Sequence, residues 1–265
     1  MRLETRPLLG VDVPSAYVDT PPADREIRAM RDAGVRVITV VANGPADLSW
    51  LTALDPIEGL EVDGATTLSW PAEHLAASLR VLGLSVRRLQ RPLRLADTPE
   101  LVELEVAPGN VTGDFSELPA LETLVLRGMP ARGFAAIEGC ARLRVFKGRG
   151  RGEAIGSLDF RTPPAALEHV YWEGVTVEAP LDGVAGAGAL KVLQLGLGRG
   201  ADPSSQRIPL EPLEYCPELS AVILSMVGNF SGHERLTRKQ SVLSVWIANA
   251  DGSRFLWSRP VTPRP

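Results

Sequence analysis

The chain has 265 residues, 45% of them hydrophobic and 23% charged. That balance excludes a disordered protein and supplies the apolar surface for a sizeable core. A formal net charge of −4 argues against a nucleic-acid binder, which carries a basic balance or stripe. No apolar run is long enough to span a bilayer, and the first residues lack the apolar stretch of a signal peptide. The expected setting is therefore the cytoplasm, with no membrane contact. Only Lys147, Lys191 and Lys239 are lysines among 28 basic residues, a bias expected of a GC-rich bacterial genome.

In chain order, residues 8–13, LLGVDV, read as a strand. Thr20-Pro21 supplies a cap and a first helical position. The following ADREIRAMRDAG predicts a short amphipathic helix stopping at Gly34. At Val35 a phrase begins, with apolar residues at its positions 1, 4 and 6: Val35-Ile38-Val40. It returns as Ile57-Leu60-Val62, Leu79-Leu82-Leu84, Leu101-Leu104-Val106 and Leu121-Leu124-Leu126. It continues as Leu143-Phe146-Gly148, Leu167-Val170-Trp172, Leu190-Leu193-Leu195, Leu219-Val222-Leu224 and Leu243-Trp246-Ala248. The starts lie 20 to 24 residues apart, except for 29 between Leu190 and Leu219.

Positions 4 and 6 alternate, so they share one face of a short strand. One strand cannot bury that face alone, but coils stacked side by side in a parallel sheet can. Gly64, Gly109, Gly128, Gly150 and Gly174 provide turns after the strands. Prolines in DTPEL, SELPAL, TPPAAL and YCPEL make the returns short helical turns or extended segments, with 71–80 the best helix candidate. Near the C-terminus, Asp251-Gly252 between two apolar runs predicts a hairpin whose second strand, 254–258, covers the last sheet edge.

The phrase L-x-x-L-x-L at this period resembles the leucine-rich repeat superfamily in its short form, over roughly residues 35–250. The resemblance implies an α/β horseshoe solenoid of about ten coils, with a parallel sheet on the concave face and short helical or irregular convex returns. Residues 1–34 would be an N-terminal cap, 35–250 the solenoid, and 251–265 a capping strand and tail. The family's turn asparagine has a counterpart only in Asn43; Arg87, Gly109, Met129, Arg151, Val175 and Gly198 stand in its place elsewhere. The superfamily's role as an interaction module implies a non-enzymatic scaffold that binds a partner protein, such as a bacterial adaptor or a toxin-neutralising immunity protein.

The chemistry-bearing motifs are few. Cys140 and Cys216 each precede a phrase by three residues, where other coils hold small or apolar side chains, so both are read as core. Three coils between them are too many for a disulfide, and without a C-x-x-C pair no metal site follows. QLGLGRG (194–200) lacks phosphate-loop spacing, and no cofactor is expected. KGRGRGE (147–153) resembles an RNA-binding segment but falls on a predicted strand and turn.

Positions 3, 5 and 7 of each phrase point away from the core. They place Glu61, Asp63, Glu103 and Glu105 in an acidic zone, and Arg127, Lys147 and Arg149 in a basic one. His169, Tyr171, Glu173, Gln194 and Ile223 follow. These twelve are the predicted partner-binding residues: charge would steer the encounter, and exposed apolar and aromatic side chains would hold it. An enzyme or substrate-recognition subunit using His169, Tyr171 and Glu173 is one alternative, and RNA binding through Arg127, Lys147 and Arg149 another. Neither nucleic acid nor a catalytic residue is the expectation. The 198–209 loop is a candidate second contact.

Overall fold

The computed structural model describes residues 1–54, 56–128, 133–150, 154–155, 160–177, 181–197, 207–227, 229–239, 241–242, 244–249 and 254–258. It comprises two compact units, Met1–Arg127 and Gly128–Pro265. Both are mainly parallel sheet with few helices.

The first unit contains β1 (Arg2–Leu8), β2 (Val11–Val18), β3 (Val37–Val41), β4 (Ala46–Asp47), β5 (Gly59–Asp63) and β6 (Leu68–Ser69). They are followed by β7 (Val81–Ser85), β8 (Leu93–Arg94), β9 (Glu103–Val106), β10 (Val111–Thr112) and β11 (Thr123–Arg127). The main sheet runs β1-β2-β3-β5-β7-β9-β11. From β2 onward each strand is parallel to the one before it. Ile38, Leu60, Leu82, Leu104 and Leu124 pair in register as one buried row. The row holds because a one-residue slip would turn every apolar side chain outward, and each costs about 1.5–3 kcal/mol to expose.

The N-terminus departs from the predicted single strand over 8–13. Leu9 (φ 49°) and Gly10 (φ 85°) are both left-handed, which makes a type I′ hairpin turn between antiparallel β1 and β2. A leucine costs about 1–2 kcal/mol there. Leu9 offsets this by packing against Leu8, Val13 and Val37, a small apolar cluster. Val37 is consequently buried, although it occupies an outward position of its phrase.

Helix α1 (Asp24–Asp32) has its cap three residues later than the predicted Thr20. Pro22 keeps the residue before it out of helical geometry. The N-cap is Ala23, whose N–H donates to the Glu26 carboxylate at 2.8 Å. The predicted stop holds: Gly34 has φ 63°, and the Val35 N–H bonds the Met30 carbonyl at 3.0 Å across it.

The helix predicted over 71–80 is only one turn, α2 (Ala72–Leu75). The Ser78 hydroxyl ends it by bonding the Leu75 carbonyl (3.0 Å) and the Ile57 carbonyl of the neighbouring coil (2.8 Å). Most other returns are 3-10 turns, as at Ser49–Ala53, Leu95–Asp97 and Phe115–Glu117. Two-residue parallel pairs, β4 with β6 and β8 with β10, form at the bends. Asn110, one residue beyond the expected place, is buried. It accepts the Leu89 N–H at 2.9 Å and donates to the Val86 carbonyl at 3.3 Å, the satisfying role of a turn asparagine.

The second unit contains β12 (Val145–Arg149), β13 (Ala154–Ile155), β14 (His169–Val177), β15 (Val192–Leu197) and β16 (Arg207–Pro209). Then come β17 (Ala221–Val227), β18 (Asn229–Ser231), α3 (His233–Arg238), β19 (Ser244–Asn249) and β20 (Arg254–Ser258). Its main sheet runs β12-β14-β15-β17-β19-β20, parallel except for the last pair. β20 closes the edge antiparallel to β19, as predicted; Asp251-Gly252 lies outside the described residues.

Phe146, Val170, Leu193, Val222 and Val245 share a row, and Gly148, Trp172, Leu195, Leu224 and Ile247 the next. The last coil therefore sits one residue earlier than predicted. Its phrase is Val242-Val245-Ile247, with Val242 and Val245 buried, and not Leu243-Trp246-Ala248. The stretch SVLSVWIA is almost wholly apolar, so alternation alone could not choose between the two registers.

Candidate protein-binding face

Alternation along each main strand turns the predicted site residues to the face opposite the core. In the second unit Val170 and Trp172 are fully buried, while the alternating His169 and Tyr171 are half-buried and Glu173 is exposed. Lys147 lies beside Tyr171 in the register, and its Nζ stands 5.6 Å from the ring centroid. The His169 ring meets the same tyrosine edge-on at 5.9 Å. Val145, Val192, Gln194 and Ile223 surround them, all half-buried. Arg149 pairs with Glu173 at 3.7 Å.

The corresponding face of the first unit is more polar. Glu61 accepts from Thr39 Oγ1 at 3.1 Å and lies 3.4 Å from Arg6. The Arg127 guanidinium donates to Glu105 from Nε at 2.6 Å. Asp63 is exposed and Glu103 half-buried. The predicted charge zones are therefore partly neutralised at their borders: Arg127 and Arg149 both face carboxylates on a neighbouring strand. Such exposed pairs contribute roughly 0–1 kcal/mol each, so their effect is on register and steering more than on stability. Arg151 to Glu153 and 198–206, from two motifs singled out in the sequence, lie outside the described residues.

His169, Tyr171 and Glu173 share the face, as their spacing requires. Glu173 is engaged by Arg149 and His169 by the tyrosine ring. Cys140 and Cys216 are buried and not joined in a disulfide. Burial pushes the Cys216 thiol up, and its Sγ donates to the Val184 carbonyl at 3.2 Å. Among the described residues, no group of three or more His, Cys, Asp and Glu could hold a metal ion, and no helix is long and apolar enough to cross a membrane.

Sequence reasoning missed a second row of charges, at position 2 of the phrase, just before each strand. Arg36 donates to Glu58 through Nε at 2.7 Å. Glu168 sits between Arg144 at 3.2 Å and Lys191 at 3.3 Å. The Arg144 hydrogen bond, helped by Lys191, holds the Glu168 carboxyl below its ordinary value. The signal was available: position 2 alternates in sign as Arg36, Glu58, Arg80 and again as Glu122, Arg144, Glu168, Lys191.

Comparison with known proteins finds no matching family model and no matching curated protein.

Proposed function

We propose that this chain is a leucine-rich-repeat-like horseshoe of about ten coils that binds a partner protein, without catalysis, through the outward face of its sheet. One observation carries the reading. Tyr171 stands at the centre of the second unit's face, with Lys147 and His169 against its ring, half-buried Val145, Val192 and Ile223 around it, and the Arg149–Glu173 pair beside it. A large amphipathic ring set among apolar neighbours and edged by charge is the composition of an interface centre. The residue-by-residue pairing of cations with carboxylates speaks against the RNA alternative, since Arg127 and Arg149 would have to leave Glu105 and Glu173 to reach phosphates. Adaptor and toxin-neutralising roles in the cytoplasm would both be served by such a face.

The reading is tested by site-specific photo-crosslinking in the native host. A photoreactive residue replacing Tyr171 should give a discrete protein adduct. The same residue at Glu100, exposed on a return, should not. Adducts at 100 with none at 171 would contradict the proposal.

A further inference from the structure

A second feature lies on the return side of the first unit. A cavity of about 410 Å³ is lined by Ser69, Trp70, Pro71, Glu73 and His74 of one coil and by Gln90 and Arg91 of the next. The two coils are clasped at this point. The Leu68 N–H donates to the Arg88 carbonyl at 2.9 Å, and the Gln90 N–H donates back to the Leu68 carbonyl at 2.9 Å. The cavity is thus built on paired backbone, and its size falls in the range of small-ligand sites.

Its polar lining is dominated by donors. The indole Nε1 of Trp70 is buried and has no hydrogen-bond partner, a state that costs roughly 1–3 kcal/mol unless an acceptor arrives. Arg91, the Gln90 amide, His74 and the Ser69 hydroxyl add further donors. The segment that supplies Gln90 and Arg91 to the lining, RRLQRPLR (87–94), carries four arginines in eight residues, all exposed. Of these only Arg94 has a carboxylate in ion-pair range among the described residues, Asp97 at 3.9 Å. In a chain of net charge −4, this concentrates unpaired positive charge beside an indole N–H that needs an acceptor.

We propose that this cavity binds the phosphoryl group of a small phosphorylated molecule. The oxyanion would accept from Trp70 Nε1 and Gln90 and be held by the Arg91 guanidinium, whose fork matches phosphate oxygens. Arg87 and Arg88 supply the surrounding field. Arg91 in the lining balances the carboxylate of Glu73, and Arg87 and Arg88 on the same segment tip the local field toward a dianion over a monocarboxylate. Glu73 is left to accept from a hydroxyl or amine elsewhere on the ligand.

The test is a titration of the whole chain with inorganic phosphate, following the Trp70 indole N–H by nitrogen–proton NMR and assigning it with Trp70→Phe. The expected result is a saturable shift of that one resonance, with binding weakened about tenfold or more in Arg91→Gln and partly retained in Arg91→Lys. Arg91 is exposed, so both variants keep the fold, and their far-ultraviolet dichroism and melting point verify it. Succinate, titrated in parallel, should shift the resonance more weakly. No saturable shift with phosphate, equal affinity in Arg91→Gln, or a preference for succinate would overturn the proposal. So would a shift produced by a short RNA oligonucleotide and not by phosphate, which would assign the arginine segment to nucleic acid.

Discussion

Trp172 is the largest fully buried side chain among the described residues, and it fits because Gly148 pairs with it on the next strand. A Cβ at position 148 would fall inside the indole ring's envelope, against Cε3, Cζ3 and Cη2. Phe146 completes the arrangement, its ring centroid 5.2 Å from the indole. In the sequence Gly148 stands at position 6 of its phrase, where most other coils carry leucine or valine. Only the register explains it, because the compensating volume lies one coil further on. Gly148→Val should therefore destabilise the chain by about 1–3 kcal/mol through overpacking, read as a lower urea midpoint. The same substitution in a Trp172→Leu background should cost measurably less, since the two positions share one space. Equal costs in both backgrounds would refute the pairing. Asn110 shows the complementary limit of sequence reading: its role was sought one residue earlier, at Gly109, because turn length is not written in the apolar pattern.

Among the elements, the main strands were the most legible and the returns the least. Leucine at positions 4 and 6 specifies a buried strand face, and nine consecutive phrases from Ile38 to Leu224 fall into the predicted rows. Where the pattern lost contrast, the reading failed: in SVLSVWIA both faces are apolar, so the last coil slipped by one. In PAEHLAASLR the helical propensity was real, but Ser78 bonded two carbonyls and stopped the helix after one turn.

The ladder Arg144–Glu168–Lys191 acts at this same scale, tying three successive strand starts together. Its pH dependence has a definite sign. Glu168 is more acidic folded than unfolded, so its contribution is complete above the unfolded value and is lost as pH falls through the lower, folded one. Lowering the pH through the carboxylate range should destabilise the wild type more than Glu168→Gln, and the two chemical-denaturation midpoints should converge at the acid end. Parallel pH curves would show that the ladder is not coupled to folding.

At the scale of the molecule, each compact unit pairs a leucine-rich buried face with an outward face of its own character. The first unit's face is polar and cross-bonded: Arg6, Thr39 and Glu61 are joined, and Arg127 meets Glu105. The second unit's face gathers the aromatic and β-branched residues around Tyr171. The alternation that defines the core also determined which residues lie opposite it. The pairing of their charges depends on which strands are neighbours, and that required the register. The phosphate-binding cavity was not legible at all, since Trp70 and Arg91 come together only through the clasp between coils.

The central claim is that the face around Tyr171 holds a protein. Its most direct test is quantitative capture of partners from the native host by the wild-type chain and by Lys147→Glu/Tyr171→Ala, with both proteins shown to be equally folded. The account predicts that one protein co-purifies near stoichiometrically with the wild type and is lost from the variant. Recovery of that protein at the same level on the variant would contradict it.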